Sequence, residues 1–150
     1  MMAFQTPPMV MDTNVLVAGA CRHVGSFAYR MLMGVLEGEI PLMLTQSIAL
    51  EYLDVLQRPR VLLLTGLDHR QSAELVTVLI AVALDVQIHF SWRPNLTDES
   101  DNKFVEAAMH TGATIVSYNA LDYRAADLAQ FGYSVMAPQE FALRYLRGGT

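Results

Sequence analysis

The stretch MVMDTNVLVAG (residues 9–19) decides the fold, because it places a carboxylate at the end of an apolar segment. Apolar residues lead up to Asp12 and resume at Val15, and this pattern predicts a short buried β-strand that ends at Asp12. A carboxylate that is buried without a partner is unfavourable by several kcal/mol or more. We therefore expect Asp12 to be neutralised, to cap the turn that follows it, or to bind a cation.

The rest of the chain alternates between helical and strand patterns. Ser26 and Ser47 are the expected N-caps of the first two helices, and Ser100 or Asp101 is the expected N-cap of the fourth. The spacing predicts helices over residues 26–38, 47–58, 68–86, 100–112, 120–132 and 138–148, and strands over 41–45, 86–92, 113–118 and 133–138. Strands that alternate with helices imply a parallel sheet covered on both faces, which is a three-layer α/β/α sandwich.

Length and composition are those of one globular domain. The 150 residues contain no repeat and no linker that would divide them, and 53% are hydrophobic, which excludes a disordered chain. A single cysteine, Cys21, excludes an internal disulfide and fits a reducing cytoplasm. The most apolar segment, residues 75–84, is about half as long as a membrane span, and the N-terminus lacks the basic region of a signal peptide.

Acidic and amide side chains occur where the predicted strands end and the helices begin. Four places carry them: Asp12, Glu51, Asp98 with Asp101, and Asn119 with Asp122. The carboxyl ends of parallel strands open on one edge of a sheet, so we expect Asp12 and residues 117–119 to lie close together. Carboxylates within a few ångströms repel each other, and Mg²⁺ or Mn²⁺ relieves this repulsion because these cations prefer carboxylate and water oxygens. The acids therefore predict a divalent-cation site.

Four segments in order resemble the successive motifs of the PIN domain family. They are VMDTNVLVAG (10–19), SIALEYLDVL (47–56), TDESDNKFVEAAMHTGATIVSYNALDY (97–123) and GYSVMAPQEFALRYL (132–146). The resemblance covers residues 8–146 and is closest to a bacterial branch of toxins from toxin–antitoxin pairs. It implies a single PIN-like domain over residues 1–150.

This resemblance also implies a function. The expected activity is that of a metal-dependent endoribonuclease, which uses Mg²⁺ or Mn²⁺ to hydrolyse phosphodiester bonds in single-stranded RNA and has an antitoxin protein as its partner. Carried over by position, the family pattern makes Asp12, Glu51 and Asp101 the three core acids, with Asp122 as the fourth. All four would act as catalytic residues and metal ligands.

Three polar residues are expected to support the acids. Ser117 and Asn119 stand where the family has Thr or Ser followed by an acid or an amide, and the amide of Asn14 is suited to holding a carboxylate or a water molecule. The chain departs from the family pattern at Asn119, where many members have an aspartate, so the fourth acidic role rests more on Asp122. It departs again at Asp98-Glu99, where this branch often has Asp-Pro.

The charge of the chain does not decide whether RNA is its substrate. The formal net charge is −5, whereas surfaces that bind phosphates are usually basic. A cation held in an acidic cleft would invert the local field and remove this objection. Five arginines flank the acidic segments and are able to bind phosphates, namely Arg22, Arg58, Arg60, Arg93 and Arg124.

Simpler roles remain open for the acids, and so do other functions. Asp12 is also suited to capping a turn, Glu51 to lying on a solvated helix face, and Asp101 and Asp122 to helix N-termini. A PIN fold without catalysis, acting as a binding or assembly module, is the main alternative. A receiver domain would need a lysine after its last strand, but Lys103, the only lysine, begins a helix. A dehalogenase-type phosphatase would need Asp-x-Asp where this chain has Asp-Thr-Asn.

The segment from Ala73 to Leu84 predicts a partner subunit. Its hydrophobic residues lie on more than one face of the predicted helix, and a helix that is apolar all round must be buried on all sides. One domain of this size leaves one side of such a helix free, so we expect a homodimer, as the family resemblance also implies.

Overall fold

The sheet is parallel and is centred on β1 (Met9–Met11). The computed structural model describes residues 6–85, 102–120, 123 and 134–146. The other strands are β2 (Met43–Leu44), β3 (Leu84–Asp85), β4 (Thr114–Val116) and β5 (Ser134–Met136). Strands β1, β4 and β5 form one parallel sheet in that order, and β2 pairs in parallel with β3. A parallel bridge between Met9 and Leu42 places β2 beside β1, on the side away from β4.

Helices cover both faces of this sheet. Side chains along a strand alternate between its two faces, yet Met9, Val10 and Met11 are all fully buried. The helices are α1 (Thr13–Ala20), α2 (Phe27–Leu36), α3 (Gln46–Leu56), α4 (Pro59–Thr65), α5 (His69–Val82), α6 (Asn102–Thr111) and α7 (Pro138–Tyr145). The predicted α/β fold with a parallel sheet is confirmed. No helix in the described part of the chain is long and apolar enough to cross a bilayer.

Several predicted helix ends are confirmed by their capping geometry. The Ser26 side chain accepts a hydrogen bond from the backbone N–H of Tyr29, as an N-cap does. After α2 the chain turns at Gly38, where φ is +80°, a value that favours glycine. Pro138 occupies the first turn of α7, where its missing N–H leaves no helical hydrogen bond unmade.

Helix α1 was not predicted, because the sequence after Asp12 reads as a turn. The helix has eight residues and buries Thr13, Val15, Leu16, Gly19 and Ala20. So short a segment shows only two helical turns of periodicity, too few to separate a helix from an irregular apolar stretch. Packing against α2 stabilises it instead, since tertiary contacts outweigh intrinsic propensity in short helices.

Two other boundaries differ from the sequence prediction. Helix α5 ends at Val82 rather than at residue 86, because the backbone N–H of Leu84 donates to Leu42 and starts β3. Helix α3 begins two residues earlier than expected: Thr45 is its N-cap, and Ser47 lies inside the helix. The strand predicted over 86–92 lies outside the described residues, as does nearly all of the helix predicted over 120–132.

The position of the α3 cap gives a direct test of the fold. Thr45 Oγ1 accepts a hydrogen bond of 3.1 Å from the N–H of Ile48, whereas Ser47 is exposed. We expect Thr45→Ala to lower the free energy of unfolding by about 1 kcal/mol, since it removes the cap. Ser47→Ala should change it by less than about 0.5 kcal/mol. Urea denaturation of both variants checks this, and a larger effect at Ser47 would contradict it.

Candidate active site

Asp12 follows β1, the strand at which the strand order of the sheet reverses, which is a topological switch point. The chain runs from β1 outward to β2 and β3 on one side, and β4 and β5 lie on the other. Ligands of open parallel sheets bind in the crevice beyond the carboxyl ends of the strands at such a point. The backbone N–H of Asp12 donates to Val116 at 3.0 Å, which extends the pairing of β1 and β4 by one residue. Asp12 and Ser117 therefore leave the sheet side by side, as the sequence predicts.

Two buried hydroxyl groups hold the carboxylate of Asp12. Its Oδ2 accepts hydrogen bonds from Ser117 Oγ at 2.7 Å and from the Tyr123 hydroxyl at 3.0 Å. Asp12 is 5% exposed, and both donors are fully buried or nearly so. Although Asp12 occupies the N-cap position of α1, its side chain makes no capping hydrogen bond. Asp12 thus occupies the N-cap position through its backbone, while its carboxylate is held by Ser117 and Tyr123.

The environment of Asp12 disfavours its negative charge. Burial raises the pKa of its carboxyl group above the ordinary 3.8, and the hydrogen bonds from Ser117, Tyr123 and the backbone of Thr13 offset only part of this effect. The negative charge of Glu51 raises this pKa further, so Asp12 and Glu51 are near enough to interact. A cation beside both carboxylates would stabilise their negative charges and so lower the pKa of Asp12.

Glu51 is held by a hydroxyl group and an ammonium group. Thr13 Oγ1 donates to its Oε2, and Lys103 Nζ lies 2.9 Å from its Oε1. The Glu51 side chain is 22% exposed, so water reaches this carboxylate more easily than that of Asp12. The solvated helix position considered for Glu51 therefore does not describe its contacts, which join α3 to both α1 and α6.

Tyr52 fixes α3 against the end of β1. Its side chain is fully buried, and its hydroxyl donates to the backbone carbonyl of Met11, the residue before Asp12. Burial raises the pKa of the Tyr52 hydroxyl well above its ordinary value, and the charges of Asp12 and Glu51 raise it further. The hydroxyl therefore stays protonated and remains a donor, which keeps Glu51 near Asp12.

The expected supporting residues shape the turn after β4. Asn14 Nδ2 lies 3.5 Å from Ser117 Oγ, and Asn14 Oδ1 accepts from the N–H of Tyr118 at 3.3 Å. The backbone N–H of Asn119 donates to Ser117 Oγ at 2.9 Å. Asn14 thus holds the backbone of this turn rather than a carboxylate. Asn119 contributes to this turn through its backbone N–H.

The described part of the site contains two of the four predicted acids. Asp12 and Glu51 are brought together, whereas Asp101 and Asp122 lie outside the described residues. Within the described ranges no three His, Cys, Asp or Glu residues gather as a metal cluster. Tyr123, which follows Asp122 in the sequence, is described, and its hydroxyl donates to Asp12.

Four side chains at this site were not predicted from the sequence: Thr13, Tyr52, Lys103 and Tyr123. Thr13, Tyr52 and Tyr123 each follow a predicted acid in the sequence. This adjacency is the one feature of the sequence that could have indicated them. Residue type gave no further signal, because buried tyrosines and threonines are usually only part of a core.

The donor set fits a hard divalent cation. Asp12 and Glu51 supply carboxylate oxygens, and no side chain among the described residues donates to Asp12 Oδ1. Mg²⁺ and Mn²⁺ prefer such oxygen ligands and usually keep several waters, so a few carboxylates are sufficient to hold them. A cation there would offset the burial of Asp12, which is the unfavourable feature of the site.

The raised pKa of Asp12 predicts how stability depends on pH without metal. Because the folded state binds this proton more tightly than the unfolded state, the contribution of Asp12 is largest at low pH and is lost as pH rises above 3.8. Asp12→Asn lacks this loss, so in EDTA it should become more stable than the wild type between about pH 4 and pH 7. Urea denaturation at several pH values measures the difference.

Asp54→Asn is the matched control for that experiment. Asp54 lies on α3, its side chain is 68% exposed, and it pairs only with the equally exposed Arg58 among the contacts described here. Its substitution removes an exposed carboxylate and should not reproduce the effect of Asp12→Asn. A constant difference between wild type and Asp12→Asn, or a less stable Asp12→Asn at neutral pH, would show that the charge of Asp12 is not destabilising.

The sequence as a whole points to the same family as the site. The chain matches the family described as PIN domain over residues 8–120. This range contains Asp12, Glu51 and Asp101, and it ends before Asp122. No curated protein matches the chain. With a match over most of its 150 residues, a parallel sheet and acids at the predicted edge, this chain belongs to the PIN domain family.

Proposed function

We propose that this protein is a Mg²⁺- or Mn²⁺-dependent endoribonuclease that hydrolyses phosphodiester bonds in single-stranded RNA. PIN domains are generally nucleases that depend on these metals, and they bind nucleic acid. The observation that carries the proposal is the buried carboxylate of Asp12, held at the carboxyl edge of the sheet within reach of the charge of Glu51. Such an arrangement is unfavourable by itself and becomes favourable when a cation binds.

The four acids would share the metal. Asp12 and Glu51 would be two of the metal ligands, and we propose that Asp101 and Asp122 complete the set. A bound divalent cation would stabilise negative charge on the reacting phosphate and make water a better nucleophile. Ser117 and Tyr123 would orient Asp12, and Thr13 would orient Glu51, so that the carboxylates are held in place before substrate arrives.

The alternative of a catalytically silent binding module is less consistent with these contacts. A scaffold needs no charge at Asp12, because an asparagine would accept the same two hydroxyl hydrogen bonds without the penalty of burying a carboxylate. The retention of Asp12 and Glu51 side by side is therefore better explained by ligation than by assembly.

Activity gives the central test. The purified protein should cleave single-stranded RNA in the presence of Mg²⁺ or Mn²⁺ and should stop when EDTA is added. Asp12→Asn and Glu51→Gln should reduce cleavage to background, because each removes a charged ligand while keeping the size of the side chain. Gel analysis of a labelled RNA measures the rate.

Asp54→Asn serves again as the control, since it removes a carboxylate from the exposed face of the same helix as Glu51. It should cleave RNA at the wild-type rate. Cleavage that persists in EDTA, or full activity in folded Asp12→Asn, would exclude the metal-dependent mechanism and favour the silent module.

We further propose that the protein is the toxin of a toxin–antitoxin pair, which rests on the resemblance of its motifs to that bacterial branch. Expression in a bacterium that lacks the antitoxin should then slow growth through RNA cleavage. Asp101→Ala and Asp12→Asn should relieve the effect at equal expression. Growth curves together with total RNA profiles test this, and equal toxicity of folded variants would contradict it.

The proposed assembly is a homodimer through α5. This helix turns Ser72, Val76 and Leu79 to the core, while Val78 and Ile80 on its other side are about half exposed. Exposed apolar side chains next to each other favour an interface. Light scattering at micromolar concentration should give a dimer, and Ile80→Asp should shift it toward monomer. Val24→Asp, at an exposed apolar residue outside α5, should not; a clean wild-type monomer would contradict the proposal.

A further inference from the structure

Lys103 and Glu51 form an ion pair between two helices at the proposed metal site. Their Nζ–Oε1 distance is 2.9 Å, and the two residues are 52 positions apart in sequence. Three of the other described pairs join residues only four positions apart in the chain and are more exposed: Arg58–Asp54, Arg70–Glu74 and Arg144–Glu140. Pairs of that kind add little stability, whereas the Lys103–Glu51 pair joins α6 to α3 at the proposed metal site.

Both oxygens of Glu51 are engaged in this structure. Lys103 contacts Oε1 and Thr13 donates to Oε2, so a cation that binds Glu51 must displace one of these groups or share its oxygen. The Thr13 hydroxyl carries no charge and does not repel a cation. The ammonium group of Lys103 is positive, and a divalent cation at the same carboxylate would be repelled by it.

Lys103 is suited to occupying the place of a cation at the Glu51 carboxylate. Its ammonium is a compact point charge on a flexible stem, unlike the planar fork of arginine, and it is therefore the side chain that most resembles a small cation. The ammonium nitrogen also lies 5.9 Å from the centre of the buried Phe104 ring. The side chain is 23% exposed, which leaves it room to move outward.

We propose that Lys103 is a built-in counter-ion of Glu51 that a divalent cation must displace, and that it thereby sets the metal affinity of the site. This inference rests on the proposed metal-dependent function. Without metal, the ammonium balances one of two neighbouring carboxylates and stabilises the folded chain. With metal, the same charge weakens binding, so the site is occupied only at higher concentrations of the cation.

Removal of the charge tests the proposal through binding rather than activity. Lys103→Met should bind Mn²⁺ at least about tenfold more tightly than the wild type, and its metal-free form should melt at a lower temperature. Lys103→Gln is the second variant, which keeps a hydrogen-bonding side chain without the charge and should show the same tighter binding. Calorimetric titration with Mn²⁺ measures affinity, and thermal unfolding in EDTA measures stability.

Arg30→Met is the matched control, because Arg30 forms a similarly short, half-buried pair with Glu39 at 2.9 Å on residues that are not part of the site. It should lose some stability but bind Mn²⁺ like the wild type. Because Lys103 is the only lysine, ¹⁵N-lysine labelling gives one side-chain signal. Mg²⁺ should shift that signal with the same midpoint as a calorimetric titration of the wild type with Mg²⁺.

The outcomes separate this inference from the proposed function. Tighter binding in both Lys103 variants, or binding in these variants and none in the wild type, supports the counter-ion. Equal or weaker Mn²⁺ binding in both variants, or a lysine signal that Mg²⁺ at saturation leaves unmoved, overturns it while the metal site stands. Failure of every protein to bind either cation overturns the counter-ion and the proposed function together.

Discussion

The buried carboxylate of Asp12 is the constraint on which the site depends. Strand β1 is covered on both faces, so the residue that follows it leaves the sheet inside the protein rather than in water. Hydroxyl groups from Ser117 and Tyr123 bring two further segments of the chain to this one oxygen. Their hydrogen bonds do not fully offset desolvation, and the pKa of Asp12 remains raised. Correct folding of three segments is therefore linked to a charge that favours a cation.

Glu51 is less buried than Asp12, and it lies beside Tyr52 on one helix, α3. Successive residues of a helix point about 100° apart, so Tyr52 reaches the core while Glu51 reaches the edge of the sheet. The Tyr52 hydroxyl anchors α3 to the carbonyl of Met11, and Thr13 and Lys103 hold the Glu51 carboxylate. One carboxylate is thus desolvated and the other is balanced by a positive charge. This difference lets two acids stand close together in a folded chain without metal.

The sequence predicted the fold well where the pattern was long and the polar residue was at a strand end. The parallel sheet, the Ser26 cap and the convergence of Asp12 with Ser117 follow from periodicity and from the polarity of parallel strands. Helix α1 was missed because eight residues show too little periodicity. The Lys103–Glu51 pair was not predicted because contacts between distant segments depend on how α3 and α6 pack, and local patterns carry no information about that packing.

The same contacts explain how an acidic chain is suited to a polyanionic substrate. A net charge of −5 repels RNA at long range, but screening reduces that repulsion beyond about 10 Å at ordinary salt concentrations. At contact distance the local charges decide, and Lys103 already places one positive charge beside the acids. A divalent cation that displaces Lys103 from Glu51 would bring two positive charges to Asp12 and Glu51 and make the edge of the sheet attractive to a phosphate. The acidity of the whole chain and affinity for a phosphodiester are therefore compatible, provided that the site carries its cation.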